Sequence, residues 1–169
     1  MTKENRELQK SLMEAKERIV NGDVKQGTEL IGKVVNSSNI REANWVICNI
    51  IDAAECKYVV ETLESIGKIF DITTCGNLKR VITCHAMRGV LNEYVDIALG
   101  ALVKRRREDL LDRLAQELMN ADPKFLVKLA SAYGELGNTR KQGDLLRVAC
   151  EKGLTEACRN INQVYPRLS

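Results

Sequence analysis

Proline and aromatic residues are scarce in this chain. Of 169 residues only 2 are proline, and 4% are Phe, Trp or Tyr. This composition is unusual for a β-sheet protein or a loop-rich protein, and it favours long helices without interruption. The two scarcities therefore predict an all-α protein.

Long apolar runs and an excess of one charge are also missing. The longest strongly apolar run, IALGALV, is far too short to span a bilayer, and the charged start MTKENRELQKSLMEAK has no signal-peptide core. We therefore expect a cytoplasmic protein without a membrane partner. With 26 basic and 23 acidic residues the net charge is +3, which permits nucleic acid as a partner but does not indicate it.

Helical periodicity runs through almost the whole sequence. Apolar residues recur at three- and four-residue steps, and Gly, Asn, Asp or Pro separate the segments. We predict about ten short helices joined by brief loops, with no strand. A chain of this length is expected to form one domain, residues 1–169.

Two segments align without a gap. GDVKQGTELIGKVV and GNTRKQGDLLRVAC, which start at Gly22 and Gly137, each place a turn before an amphipathic helix. Positions seven before, nine after and twelve after the glycine match in character; they are Ala15, Ile31 and Val34 in the first copy and Ala130, Leu146 and Ala149 in the second. Short loops and an internal repeat predict stacked antiparallel helical hairpins.

The repeated pattern resembles the middle of a tetratricopeptide-like helical hairpin. The family's small residue five positions after the glycine is Gly27 in the first copy, whereas the second copy departs from the pattern with Gln142; Tyr133 matches an aromatic position. Residues 40–105 match only by helix length and spacing. The resemblance implies a right-handed α-α superhelix of about five antiparallel hairpins.

The whole chain is also similar to a small, uncharacterised all-helical family of thermoacidophilic archaea. The similarity is carried by WVICNIIDAAECKY, FDITTCGNLKRVITC, LNEYVDIAL and RVACEKGLTEAC. It implies the same helical superhelix. It implies no activity, because that family's biochemical role is unassigned.

Six cysteines fall into three couples of similar spacing, and all six are candidates for disulfides. The couples are Cys48 with Cys56, Cys75 with Cys84, and Cys150 with Cys158. Such regularity favours a structural role over a catalytic one. Cytosolic thiols are normally reduced, but intracellular proteins of hyperthermophilic archaea are an exception.

Bonding within a couple requires a turn in the chain. Disulfide-linked Cα atoms lie about 4.4–6.8 Å apart, whereas eight positions along one helix span about 12 Å. Gly153 supplies a turn between Cys150 and Cys158, an arrangement that also resembles the stapled hairpins of Sel1-like repeats. The other two couples lack a clear turn. Cys48 and Cys84, 36 positions apart and so about one repeat, are alternative neighbours, and buried free thiols are the remaining possibility.

No motif for chemistry emerges. The cysteines and His85 lack the close spacing of zinc ligands, and Cys84 and His85 are adjacent helical residues that point in different directions. We therefore expect no catalytic residue, metal, cofactor or small-molecule substrate, and a protein that is not an enzyme.

One basic cluster suggests nucleic-acid binding. Its members, in KRRRED and on an earlier helix, are Lys79, Arg80, Arg88, Lys104, Arg105, Arg106 and Arg107. We favour the alternative, in which the cations of KRRRED cap one helix end while Glu108 and Asp109 begin the next helix, as the helix dipole favours. Trp45 lies on an apolar helical face, so we expect it in the core instead of stacking on bases.

Stacked hairpins present a groove lined by the first helix of each pair. Such a groove suits a peptide or a helix of another protein. We therefore expect a noncatalytic protein-interaction module that binds a protein segment or a second copy of itself. The alternative is an RNA- or ribosome-associated helical adaptor that uses the basic cluster.

Overall fold

The computed structural model of the protein describes residues 2–66 and 75–164. In those residues the regular structure consists of ten α-helices, with no strand, which confirms the all-α prediction. The contacts divide the chain into two compact units, Met1–Leu91 (unit 1) and Asn92–Ser169 (unit 2). A single domain over residues 1–169 stays a prediction.

Of the helices in the described residues, five belong to unit 1 and five to unit 2. Those of unit 1 are α1 (Lys3–Val20), α2 (Val24–Val34), α3 (Ile40–Ala53), α4 (Cys56–Ile66) and α5 (Leu78–Met87). Those of unit 2 are α6 (Leu91–Lys104, with its first residue in unit 1), α7 (Glu108–Leu118), α8 (Pro123–Glu135), α9 (Thr139–Glu151) and α10 (Thr155–Val164). The sequence YVVETLESIGKIF predicts a helix at residues 58–70, and DITTCGN after it predicts a linker. The helix corresponds to α4; residues 67–70 of its predicted end and residues 71–74 of the linker lie outside the described residues.

The turn between α1 and α2 depends on Gly22. Its φ of +100° is a conformation that glycine adopts without a steric penalty. The N–H of Gly22 donates to the Ile19 carbonyl and that of Asp23 to the Arg18 carbonyl, which satisfies two carbonyls at the end of α1. The Asp23 carboxylate then accepts from the Gln26 N–H and caps α2.

The turn between α8 and α9 repeats this construction. Gly137 has a φ of +84°, and its N–H donates to the Gly134 carbonyl while that of Asn138 donates to the Tyr133 carbonyl. The Asn138 side chain accepts from the Lys141 N–H and caps α9. The aligned segments therefore share a turn and a cap as well as a sequence pattern.

In each of the two hairpins a glycine lies at the contact between the helices, but on the second helix in one hairpin and on the first helix in the other. In the first, a Cβ added to Gly27 would overlap Ile19 of α1 and come within 2.9 Å of the Ala15 carbonyl oxygen. In the second, Gln142 takes the place of Gly27, and it faces Gly134, which takes the place of Ile19. The departure at Gln142 is thus compensated by a glycine on the opposite helix.

The core of unit 1 lies between α1–α2 and α3–α5. Its largest fully buried side chains are Leu12, Ile19, Ile31, Ile47, Ile50, Ile51 and Leu78. They follow the three- and four-residue steps that the sequence predicts, since these place side chains on one helical face.

The core of unit 2 is built mainly from leucines of α7 and α8. Its largest fully buried side chains are Leu111, Leu114, Leu118, Leu126 and Leu129. On the surface, the Lys128 ammonium on α8 lies 2.6 Å from an Asp96 carboxylate oxygen and 2.8 Å from the Asn92 side-chain oxygen, both on α6. These contacts connect α6 to α8.

Candidate functional site

A groove of about 570 Å³ lies between α1 and α3 of unit 1. It is lined by Gln9, Leu12 and Met13 from α1 and by Arg41, Glu42, Trp45 and Val46 from α3. We call this surface the α1–α3 groove. Leu12 and Val46 are buried and belong also to the core, whereas the side chains of Met13 and Trp45 reach solvent. The groove therefore has an apolar base and an aromatic wall.

Trp45 is exposed, so its predicted place in the core is wrong. It is 65% exposed, although Val46 and Ile47 beside it are buried. Each helical residue is rotated about 100° from the previous one, so Trp45 lies opposite the buried stripe formed by Ala43, Ile47 and Ile50. A tryptophan of this exposure is informative because large apolar side chains on a surface mark binding sites when they cluster.

Two charged side chains lie at the groove. Arg41 and Glu42 are both exposed, and neither forms an ion pair or side-chain hydrogen bond within the described residues. Consecutive residues on a helix do not face each other, so they are not placed to pair together. The groove thus offers one cation and one anion to a binding partner.

Cys150 and Cys158 form a disulfide between α9 and α10. Their Cα atoms lie 4.8 Å apart. Gly153, with a φ of +100°, makes the turn that brings the two helix ends together. The glycine turn in the sequence was the signal for this pair.

The other four cysteines are paired differently from the predicted couples. Cys48 of α3 bonds to Cys75, with a Cα separation of 5.4 Å, and Cys56 of α4 bonds to Cys84 of α5, with a separation of 5.0 Å. Bonds within the couples Cys48–Cys56 and Cys75–Cys84 are therefore wrong, and Cys48 and Cys84 each bond to another cysteine instead of to each other. The reason is that the segment from Cys75 to Cys84 packs on the α3–α4 junction. Because the two couples have nearly equal spacing, each cysteine of one couple then lies beside a cysteine of the other.

Arg80 and Asn77 secure α5 between these disulfides. The Arg80 guanidinium donates to the carbonyls of Ile51 and Ala54 at the end of α3, and the Asn77 side-chain amide donates to the Cys48 carbonyl at 3.2 Å. Arg80 satisfies carbonyls that the end of α3 leaves without a partner, whereas Asn77 adds a second hydrogen bond to a carbonyl inside α3. Arg80, a member of the predicted basic cluster, therefore has a structural role.

The remaining basic residues lie in both units. Lys79 and Arg88 are exposed on unit 1. In unit 2, Lys104 ends α6, Arg105 and Arg106 form the turn, and Arg107 precedes α7 and pairs with Asp109 at 2.9 Å. Cations at the end of one helix and carboxylates at the start of the next are the capping arrangement that the sequence favours.

Arg106 has an unusual backbone conformation. Its φ is +54°, the one positive value outside glycine among the described residues. Its N–H donates to the Val103 carbonyl, and that of Arg107 donates to the Leu102 carbonyl, which is the bonding found at Gly22 and Gly137. An arginine here occupies a position that other turns of the chain give to glycine.

His85 is buried on α5, beside the disulfide-bonded Cys84. It is 2% exposed, and Nδ1 lies 2.7 Å from the Val81 carbonyl oxygen. Burial lowers the pKa of the imidazole, against smaller opposing effects of this hydrogen bond and of Glu64. Among the described residues no group of three or more His, Cys, Asp or Glu side chains is arranged to hold a metal ion.

Unit 2 contains a polar cluster that the sequence analysis missed. The Tyr133 hydroxyl of α8 donates to the Asp112 carboxylate of α7, which also pairs with Lys141 of α9 at 3.0 Å. The Asn138 side chain donates to Glu108 at 2.7 Å. Burial and the neighbouring carboxylates raise the pKa of Tyr133. The cluster connects three helices, and its residues are far apart in the sequence, so no local pattern signals it.

Together these features define an all-helical protein with cross-linked helices and an exposed aromatic groove. No helix in the described part of the chain is long and apolar enough to cross a membrane. A family model described as a domain of unknown function, DUF1955, matches residues 7–164. The chain belongs to this family.

A solved structure of a hypothetical protein from the hyperthermophilic archaeon Sulfolobus tokodaii is similar to this chain. The two share 35% sequence identity over 92% of this chain and 99% of the other, with a TM-score of 0.59. The predicted resemblance to an uncharacterised archaeal family is confirmed at this level. None of the curated proteins matches the sequence.

Proposed function

We propose that the protein is a noncatalytic protein-interaction module and that the α1–α3 groove is its binding site. The observation that carries the proposal is the exposure of Trp45 beside Met13, at 65% and 51%, over an apolar base. Tryptophan and methionine are enriched at protein interfaces and depleted elsewhere on surfaces. Covering them removes apolar surface from water, which stabilises a complex by about 25 cal/mol per Å² before the entropic costs of association.

The proposal includes tetratricopeptide-like hairpins. It is supported by the shared turns at Gly22 and Gly137 and by the packing pair Ile19–Gly27, which reappears in reversed form as Gly134–Gln142. In that arrangement α1 and α3 are the first helices of successive hairpins, and these helices line the binding groove of a helical-repeat protein. The right-handed superhelix of about five hairpins stays a prediction.

The test is protein capture with matched baits. The wild type, Trp45→Glu and Met87→Glu are immobilised; Met87 is 73% exposed on α5 and does not line the groove. We expect wild type and Met87→Glu to retain the same proteins, including the chain itself, and Trp45→Glu to lose them. Equal retention by all three baits, or no retention together with monomeric behaviour, would reject the groove as the binding site.

RNA binding stays a prediction with less support. Arg80 and Arg107 already contact protein groups, so the cluster has fewer cations for phosphate than the sequence suggested. Its test is salt-sensitive RNA retention that is lost in a Lys104→Ala/Arg106→Ala variant. No retention at low salt would reject it.

A cytoplasmic location is also part of the proposal. Disulfides are rare in most cytosols but common in intracellular proteins of hyperthermophilic archaea. The similar structure comes from such an archaeon. Fractionation of the native host, with detection of the chain, tests this location.

A further inference from the structure

We propose that the α1–α3 groove of one molecule is covered by the same groove of a second copy, related by a two-fold axis. This inference rests on the proposed function and names the partner. Three features of unit 1 support it: the charges at the groove, the exposed start of α1 and the size of the surface.

The charged side chains at the groove are complementary to those of the same groove in a second copy. Arg41 and Glu42 are neighbours in sequence, and neither is paired within the described residues. A two-fold axis places the same surface on both sides of an interface, so Arg41 of each copy can meet Glu42 of the other. A partner with charge of a single sign would instead leave one of the two unmatched, which is costly once water is excluded.

The start of α1 is exposed and continues the same surface. The first buried residue of α1 is Leu12; between Lys3 and Ser11 only Leu8 and Ser11 are partly buried, and the other residues are exposed. Leu8, half-exposed, extends the stripe of Leu12 towards the helix start. A second copy covers both this segment and the groove in one contact.

The size of the surface favours this combined contact. Seven residues line the groove, whereas a stable interface contains about 20–30 residues on each side. The groove alone is therefore too small for a dimer. The outward turns of α1 adjoin it through Gln9 and Met13 and supply the additional area.

The first experiment measures association of the full chain by sedimentation velocity over a range of concentrations. We expect wild type and Met87→Glu to form a dimer. We expect Trp45→Glu to weaken the dimer by roughly thirtyfold or more, as for an aromatic side chain central to an interface. Circular dichroism and thermal unfolding confirm that each variant remains folded.

A charge-exchange experiment distinguishes a second copy from any other partner. Arg41→Glu places two carboxylates at each groove, and Glu42→Arg places two cations there. Each variant alone should be monomeric at concentrations where wild type is dimeric. An equimolar mixture should form a heterodimer, and the double variant Arg41→Glu/Glu42→Arg should dimerise again.

The outcomes separate this inference from the proposed function. A wild type that stays monomeric at all concentrations, or a dimer unaffected by the Trp45 and Arg41 variants, overturns the two-fold contact. If that monomer captures a different protein in a Trp45-dependent manner, the proposed function stands and the second copy is rejected. If it captures none, both fail.

Discussion

At the scale of single residues, Arg106 is held in a conformation that costs free energy. Its φ of +54° is left-handed, and the corresponding turn residues elsewhere are glycines, among them Gly22 and Gly137. A side chain with a Cβ in this region costs about 1 kcal/mol relative to glycine. The turn is therefore stable because its hydrogen bonds and the neighbouring helices hold it.

Replacement of Arg106 by glycine should stabilise the protein. We expect the free energy of unfolding to rise by about 1 kcal/mol in urea titrations, because the left-handed strain is removed. Gly137→Ala is the reciprocal control: its added Cβ would meet no atom within 4 Å, so the conformational penalty alone should lower stability by a similar amount. A loss of stability in Arg106→Gly would contradict this account of the turn.

His85 should make stability depend on pH. Burial lowers its pKa in the folded state, whereas the unfolded chain titrates near the ordinary value of about 6.5. As pH falls below that value, the unfolded state binds a proton that the folded state does not, so the contribution is present above it and is lost towards acid. His85→Asn, whose amide can also donate to Val81, should reduce the slope of stability between pH 7 and pH 5. An identical slope in both proteins would argue against the buried neutral imidazole.

At the scale of helices, the small residues at the hairpin contacts are not equivalent. Gly27 faces the α1 backbone and Ile19, whereas the three atoms nearest to a Cβ added at Gly134 all belong to the flexible end of Gln142. We expect Gly27→Ala to lower stability by about 1–3 kcal/mol, as overpacking does in close-packed sites. Gly134→Ala should cost less, because the Gln142 side chain can move. Urea titration of both variants checks this, and an equal loss would refute the difference in packing.

Much of the helical structure was predictable from the sequence. The helical segments and the aligned turns at Gly22 and Gly137 follow from local patterns of apolar residues, glycine and caps. The compensation of Gln142 by Gly134 was not, because it depends on contact between two helices. Trp45 was placed on the wrong side although helical periodicity could have placed it correctly, because it lies two residues from both Ala43 and Ile47 and so opposite their face.

At the scale of the whole molecule, the disulfides are distributed unevenly. Unit 1 has two whose loops interlock, since the pairs Cys48–Cys75 and Cys56–Cys84 alternate along the chain. Unit 2 has one local pair, Cys150–Cys158. The sequence showed six candidates and the local pair, whereas pairing between elements depends on the packing of α5 against α3 and α4.

Reduction should therefore affect unit 1 more than unit 2. Loops of 27 and 28 residues correspond to about 3.5 kcal/mol of loop entropy each, although interlocked loops do not add fully, and a loop of 8 corresponds to about 2.5 kcal/mol. We expect reductant to increase amide hydrogen exchange in α5 more than in α9 and α10. Peptide mapping without reductant supplies the control; recovery of a Cys48–Cys56 linkage would contradict the assigned pairs.

The proposed interaction depends on whether the α1–α3 groove is occupied in solution, and the chain carries a direct reporter. Trp45 is its one tryptophan and forms part of the groove wall. Its fluorescence is therefore measured, with acrylamide as quencher, as protein concentration rises and after addition of any captured protein. The account predicts a blue shift and protection from acrylamide, and those that appear with rising concentration should be absent in Arg41→Glu; emission that stays solvent-exposed under all of these conditions would contradict it.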